Sequence, residues 1–455
     1  MSPAVPLAIA WTAAALTAPL DGRKRWAGWL AFAGLAACFA ALLHTAFAVS
    51  GGPIETVAGG WPEEVGIAQR ADALGVLFAV LSTGLLLVAL LHELLGGVQE
   101  RAFPALVLFL AAGLNGFFLS GDVFGFYVFF ELSMTTAFVL ASYGQEKRQI
   151  RDALTFTVVN LLGSAILLSA IAALYHVTGT LSMRGVARWA TAAEPEALVL
   201  IAALLLTSFG VKLGLFPFHF WVPAVYRGAH PAVAAILSGV IANIGGYGLL
   251  RFGGEILPRE LHLASAALLG LGGASILYGG VLALSRRAPA EVLAYSSISQ
   301  AGYILLALGL GGPAGFAAAV LYAALNGLNK TLLFLAAGLR GRWVGAAFAV
   351  GALSVAGVPP AAGFLGKAGL FRAGLGADSA TALGLVFVGS ALSFLYMFTA
   401  YQSCQTDEGQ GEESRLGPRL LVLGLAGIVL LLGLWPELLV AASERAAAVL
   451  LAEAP

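Results

Sequence analysis

Glu131, Lys212, Lys330 and Lys367 lie inside long apolar stretches of the chain. An ionisable side chain at bilayer depth costs roughly 2.5–3.5 kcal/mol on insertion scales, so such residues are usually retained where an ion must pass them. A carboxylate and three amines can each take up and release a proton, and their placement points to a proton or cation pathway. Lys212 stands in SFGVKLGLFPFHFWVP, five residues before Pro217, and Lys367 in GVPPAAGFLGK, seven after Pro360. Glu131 is the one charge in FGFYVFFELSMTTAFVL, and Lys330 shares ALNGLNKTLLFLAAG with Asn326 and Asn329, amides that need partners or water. His219 follows the first proline break and His230 opens the next apolar stretch; an imidazole can relay protons near neutral pH. Asn243, in SGVIANIGGYGLL, can hold water without carrying charge. Ser297, Ser299 and Gln300 add a polar stripe in AYSSISQAGY, and Asp72 stands where it can cap a helix.

These groups must be positioned by membrane-spanning helices. The chain has 455 residues, is 60% hydrophobic and only 11% charged, against roughly 25% charged in a soluble domain. A soluble fold would leave an apolar surface far larger than any exposed patch that monomers tolerate. Twenty-four basic residues balance 24 acidic ones, which argues against a nucleic-acid partner. The two cysteines, Cys38 and Cys404, lie in distant segments and read as separate thiols. The N-terminal stretch reads as a retained span rather than a leader peptide. A Cys/His cluster with metal-ligand spacing and a phosphate-binding glycine loop are both missing, so no cofactor or metal is expected on this chain.

Apolar windows of about 20 residues predict fourteen spans: 2–20, 27–50, 72–95, 103–119, 121–141, 152–176, 197–219, 231–252, 263–284, 290–309, 313–338, 343–371, 379–401 and 418–440. With the N-terminus outside the cytoplasm, the inward loops carry fourteen Lys or Arg (among them Arg23, Arg101, Lys147, Arg227, Arg340 and Arg415) and the outward loops seven, including Arg70, Arg184 and Arg251. That bias predicts both termini outside. The polar stretch 402–417 reads as a Gly- and Glu-rich inner loop.

Two of the windows are interrupted, the seventh at Pro217 and Pro223 and the twelfth at Pro359 and Pro360. Proline removes a backbone donor and frees a carbonyl on the preceding turn, which is tolerated at membrane depth only against protein or water. Each break has a lysine beside it, and about five spans separate them. Transporters built from inverted repeats place discontinuous helices at equivalent points of their halves. The expected fold is therefore an all-α polytopic membrane protein of about fourteen transmembrane helices. It would comprise N-terminal helices in 1–95, a five-helix repeat in 103–252, an inverted copy in 263–401, and a loop with a last helix in 402–455.

The strings GDVFGFYVFFELS, KLGLFPFHFWVP with HPAVAAILSG, AYSSISQAGYIL, NKTLLFLAAG and GVPPAAGFLGK together resemble the antiporter-like subunits shared by respiratory complex I, multisubunit Na⁺/H⁺ (Mrp) antiporters and membrane-bound hydrogenases. The resemblance covers roughly residues 70–400. It implies fourteen core helices, two inverted five-helix repeats and broken seventh and twelfth helices. By motif, Glu131 matches the family's fifth-helix glutamate, Lys212 its seventh-helix lysine, Lys330 the charge of the eleventh helix and Lys367 the twelfth-helix lysine. Two positions depart: Asn243 stands where the family commonly has lysine, and Asn326 where it commonly has histidine. NGFFLSGDVFGFYVFFE most resembles the D-type antiporter subunits, the YSSIS stretch also suits the M and N subunits of the NADH:quinone enzyme, and the short tail is unlike the L subunit. The resemblance implies partners in a hetero-oligomeric complex, transport of protons and possible exchange for Na⁺, and redox centres that reside in other chains.

Three functions fit the residues. One is a translocating subunit with a buried Glu/Lys/Lys axis in which Glu131 and Lys212 approach each other. The others are a passive membrane scaffold of such a complex and an unrelated secondary transporter, which would have a solute cavity at the repeat interface.

Overall fold

The computed structural model describes residues 2–57, 59, 66–190, 195–406 and 415–452. Helices occupy each of the predicted windows. In chain order they are α1 (Ala4–Thr17), α2 (Arg25–Ala48), α3 (Ala73–Gly96), α4 (Phe103–Phe118), α5 (Val123–Ala141), α6 (Lys147–Thr178), α7 (Met183–Ala190), α8 (Pro195–Leu213) and α9 (Trp221–Gly228). Then follow α10 (Pro231–Ile256), α11 (Pro258–Leu263), α12 (Ser265–Leu284), α13 (Pro289–Leu310), α14 (Gly312–Ala337), α15 (Arg342–Ala356), α16 (Gly363–Gly376), α17 (Ala380–Thr406), α18 (Leu416–Leu434) and α19 (Glu437–Ala452). Among the described residues, eleven helices are long and apolar enough to cross a membrane, and α1, α4 and α15 are shorter apolar helices. The chain is a multi-pass membrane protein.

Local chemistry sets the boundaries. Asp72 caps α3 by accepting from Gly75 N at 2.8 Å, and Asp122 caps α5 through Gly125 N; each satisfies one of the orphan donors of a first helical turn. Pro104, Pro231, Pro289 and Pro313 sit in the first turns of α4, α10, α13 and α14, where the missing N–H costs nothing. The turn between α4 and α5 falls at 119–122, as Ser120, Gly121 and Asp122 predict. Both proline-interrupted windows are broken in the structure. The first has α8 ending at Leu213 and α9 starting at Trp221; the second has α15 ending at Ala356 and α16 starting at Gly363.

Hydrogen bonds between loops define the two ends of the bundle. At one end Gly22 N bonds Arg101 O, Gln99 N bonds the Tyr143 hydroxyl, Gln149 bonds Gly228 O and Arg227 pairs with Glu291. This is the basic-loop face, where the sequence concentrates its Lys and Arg. At the other end Ile54–Val57 and Ala68–Ala71 form an antiparallel two-stranded ribbon, and Arg70 N bonds Leu119 O while Val123 N bonds Leu181 O. Neither the ribbon nor α7 is signalled by hydropathy, because both lie in the short polar stretches.

The most apolar windows of α10, α13 and α14 are 94%, 89% and 100% buried, whereas that of α18 is 28% buried. The first three therefore form the axis, and the helices around them present side chains such as Leu162, Phe387 and Leu431 outward, as lipid- or subunit-facing surfaces do. α10 and α14 touch backbone to backbone. A Cβ at Gly327 would stand 2.6 Å from Gly239 O and 2.9 Å from Asn243 Nδ2. α10 also carries two wide π-helical turns, at Leu237–Ile241 and Leu250–Ile256, a feature frequent at functional sites.

The C-terminal end differs from the expectation of one span at 418–440. α18 stops at Leu434, Trp435 and Pro436 turn the chain, and α19 then packs against α3 and α14. Proline cannot continue the hydrogen-bond ladder of α18. Most of the expected inner loop, residues 407–414, lies outside the described residues.

Replacing Gly327 by leucine forces α10 and α14 apart. The expected cost is about 1–3 kcal/mol of overpacking, read as a lower midpoint of thermal unfolding in detergent; an unchanged midpoint would show that this backbone contact is not tight.

Candidate functional site: a line of buried amines and amides

Lys212 sits in the last turn of α8 and is 1% exposed. Its Nζ donates to Asn160 O at 2.7 Å and to Ser164 Oγ at 3.0 Å, both on α6, and stands 4.5 Å from the centre of the Phe130 ring. Gly163, between them, lets α8 pack closely, since a Cβ there would lie 3.1 Å from Val211 Cγ1. Lys330 repeats this pattern on α14. It is fully buried, and its Nζ donates to Leu293 O at 3.0 Å and to Ser296 Oγ at 2.7 Å, both on α13. Lys367, on α16, uses the second helix break. Its Nζ donates to Ala356 O at 2.9 Å and lies 5.4 Å from the Tyr303 ring centre. Ala356 closes α15, so its carbonyl lacks an intrahelical donor, and a cation at a helix C-terminus is favoured by the dipole as well. Gly357, at φ +80°, makes room for the Lys367 stem.

The first break is satisfied differently. Val211 O, freed where α8 ends, accepts from Trp221 Nε1 at 2.9 Å, and Phe216 N donates to Ser275 Oγ at 3.2 Å. His219 lies within this break, 3% exposed, with its Nε2 2.9 Å from the Tyr278 hydroxyl on α12 and its Nδ1 without a hydrogen-bond partner.

Glu131, on α5, is expected within salt-bridge or one-water distance of Lys212, and it makes no direct pair with it. No ion pair within 4.0 Å joins it to Lys212 among the described residues, and its Oε1 is buried with no hydrogen-bond partner. The Phe130 ring takes the position beside the lysine ammonium, and the carbonyl and hydroxyl of α6 satisfy that ammonium instead. Where α10 meets α14, Asn243 Nδ2 donates to Gly239 O at 2.9 Å, and on α14 Asn326 and Asn329 each have a buried Oδ1 lacking a hydrogen-bond partner. On α13, Gln300 Nε2 donates to Tyr396 at 2.8 Å, Tyr322 donates to Gln300, and Ser299 Oγ donates to Ile276 O at 3.1 Å. Ser297 bonds back to its own helix at Leu293 O. α5, α6, α8, α10, α14 and α16 pack in succession, with α13 against α14, so the helices bearing these side chains form one contiguous series. His230 stands apart, at the basic-loop face.

Sequence reasoning misses a second buried set. Arg251, 1% exposed near the end of α10, donates through both terminal nitrogens to Asp72 at 2.8 and 2.9 Å and also pairs with Glu255. Arg70 bonds Glu255 as well, with its Nε 3.2 Å from Asp72. Tyr247 accepts from Arg251 and donates to Phe118 O at 2.8 Å. The available signal is Arg251 and Glu255 four residues apart at the end of an apolar window; the basic-residue count places Arg251 in a loop. Asp72 both caps α3 and anchors this network. Among the described residues no group of three His, Cys, Asp or Glu side chains is arranged to hold a metal ion.

Arg251→Ala would leave Asp72 and Glu255 buried with one guanidinium in place of two. A loss of about 3–5 kcal/mol is expected from breaking a buried pair, read as a fall in thermal stability and membrane abundance; wild-type abundance would argue that Arg70 alone suffices.

Residues 120–343 match the model of the NADH:quinone oxidoreductase/Mrp antiporter transmembrane family. The chain is 29% identical to the D subunit of the Na⁺/H⁺ antiporter of Alkalihalophilus pseudofirmus, over 83% of this chain and 82% of the relative. It is 30% identical to the corresponding D subunit of Bacillus subtilis, over 74% and 73%. Its structure superposes on a chain of the Mrp complex from Dietzia sp. with a TM-score of 0.89 and 28% identity, covering 98% of this chain and 96% of that one. A chain of respiratory complex I from Thermus thermophilus gives a TM-score of 0.78 and 27% identity, covering 96% and 99%. With a relative from Staphylococcus saprophyticus 31% identical over 77% of this chain and 74% of its own length, the chain belongs to the NADH:quinone oxidoreductase/Mrp antiporter transmembrane family.

Proposed function

We propose that this chain is the proton-translocating, D-type subunit of a multisubunit cation/proton antiporter. It would work in the inner, energy-conserving membrane beside other membrane subunits, with both termini outside the cytoplasm and the basic-loop face inside. In this reading it has fourteen spans, and 103–252 and 263–401 are inverted five-helix repeats around the two broken helices. The observation that carries the reading is the set of three buried ammonium groups, Lys212, Lys330 and Lys367, each held by uncharged oxygens rather than by a carboxylate. An ammonium locked to a carboxylate is costly to deprotonate. One held by carbonyls and hydroxyls gains charge from an arriving proton and loses it to the next station without breaking an ion pair. Glu131, with a free buried oxygen, is the counter-charge that senses the state of Lys212. The relatives from Alkalihalophilus pseudofirmus and Bacillus subtilis are named as Na⁺/H⁺ antiporter components, which supports sodium as the exchanged cation.

A second reading, a passive scaffold, is favoured by Asn243 and Asn326, which replace two titratable stations and leave the stretch between Lys212 and Lys330 without a side chain that changes charge.

Lys212→Ala decides between the two. Alanine keeps helix propensity, so co-purification of the remaining subunits is expected to be unchanged. Proton flux in vesicles holding the full complex should fall to background; wild-type flux from a correctly assembled variant would favour the scaffold. Glu131→Gln, which keeps shape and removes charge, is expected to reduce flux without affecting assembly, and equal flux would remove Glu131 from the pathway.

A further inference from the structure

The lysine line begins well inside the bundle, so protons need a place to be collected. At the basic-loop face, the last turn of α3, the residue after the turn that ends α5 and the residue that opens α10 converge. Glu93 is 3% exposed. Tyr143 donates to its Oε2 at 2.7 Å, and the Gln99 N–H donates to the Tyr143 oxygen at 3.0 Å. The backbone donor occupies the phenol's acceptor side and so aims the O–H at Glu93. Oε1 is left for two imidazoles, with His230 Nδ1 at 3.2 Å and His92 Nδ1 at 3.8 Å. Neither His92 nitrogen has a hydrogen-bond partner, nor does His230 Nδ1 at this ring orientation, while His230 Nε2 lies 3.4 Å from Gln99 Nε2. The His230 side chain is 22% exposed, while that of His92 is 7% and that of Glu93 is 3%. One imidazole therefore reaches solvent, and behind it lie a carboxylate and a second imidazole that do not. Among the described residues, no arginine or lysine pairs with Glu93, so the two histidines are its cationic neighbours when protonated. Around the rim stand Glu100, bonded by Gln145, Arg415 beside Gly97, and Asp152 beside Gly228.

We propose that His230, Glu93 and His92 form the proton-loading site of this subunit, with Tyr143 as the positioning residue. The proposal rests on the translocation reading above and adds the point at which protons leave solvent. The step is proton transfer alone. A solvent proton forms an N–H bond at His230 Nε2, the Nδ1–H bond breaks and an O–H bond forms at Glu93 Oε1. His92 then receives that proton, restoring the carboxylate. A small rotation of the His230 ring aligns Nδ1 with Oε1, a tightening that catalytic hydrogen bonds commonly show. Burial holds the His230 imidazole below its ordinary pKa, and the Glu93 carboxylate pulls it back up. Removing that carboxylate charge therefore makes loading require a more acidic medium.

The test measures proton flux by the full complex in everted vesicles, whose bath contacts the basic-loop face, as a function of bath pH. Glu93→Gln, His230→Gln and Tyr143→Phe are compared with wild type and with Lys212→Ala. The expected Glu93→Gln profile is displaced to acid pH by about one unit, which is about tenfold lower flux on the alkaline limb. His230→Gln should abolish that limb, Tyr143→Phe should show a smaller displacement, and the response to pH inside the vesicle should be unchanged. A purely structural cluster would lower flux equally at every pH. Glu93→Gln and His230→Gln profiles that superimpose on wild type, or fall uniformly, with Lys212→Ala inactive, overturn the loading site and leave the translocation reading standing. Wild-type flux from Lys212→Ala removes the translocation reading and the loading site with it. If Glu93→Gln fails to assemble, His230→Gln decides alone, since its side chain lies at the rim.

Discussion

A charged amine removed from water must be given oxygen atoms, and within an apolar bundle only the protein can supply them. Much of this structure follows from that demand. Lys212 and Lys330 are each served by a neighbouring helix that offers one backbone carbonyl and one serine hydroxyl. A helical carbonyl is already engaged in its own ladder, so it serves as a second acceptor only because its oxygen has two lone pairs. Lys367 draws instead on a carbonyl that the break at 357–362 has released. The irregular backbone and the buried charge are thus two halves of one arrangement: the break would be costly without a donor, and the amine costly without the break.

The two ends of the bundle are built on different principles. The ribbon end is closed by paired charges, with Arg70 and Arg251 set against Asp72 and Glu255. Such a set is rigid because moving any member strands the others. The basic-loop end gathers Glu93, His92, His230 and Tyr143, which make fewer bonds. One end is thus a locked ionic network and the other a more loosely bonded cluster of histidines, a carboxylate and a phenol.

Hydropathy makes the helices and both breaks legible, because length, apolar content and proline position are one-dimensional properties. Glu131, Lys212, Lys330 and Lys367 are legible for the same reason, as charges where none should be. What escapes are relationships across helices. That the Phe130 ring and the α6 oxygens meet the Lys212 ammonium is one such relationship, since no spacing rule brings them together with α8. Arg251 is counted with the outer-face charges because it stands one residue from the end of its apolar window at 252, whereas α10 continues to Ile256 through a wide turn. Glu93 and His92 sit at the edge of a window where charged groups normally meet water, and only the packing of Tyr143 and His230 over them makes them buried. The C-terminal division into α18 and α19 is hidden because Trp435 and Pro436 interrupt the apolar run for only two residues.

The wide turns of α10 carry a consequence for its phase. Each accommodates an extra residue per turn, and one residue of an α-helix corresponds to a rotation of about 100°. The turn at Leu237–Ile241 therefore sets the azimuth of everything after it, including Asn243, Tyr247 and Arg251. Deleting one residue within it would let the helix relax to regular winding and swing that whole stripe away from Asp72 and from α14, although every side chain would still be present. Part of the information that aligns this helix is therefore held in a count of residues, so very few changes of length should be tolerated along α10.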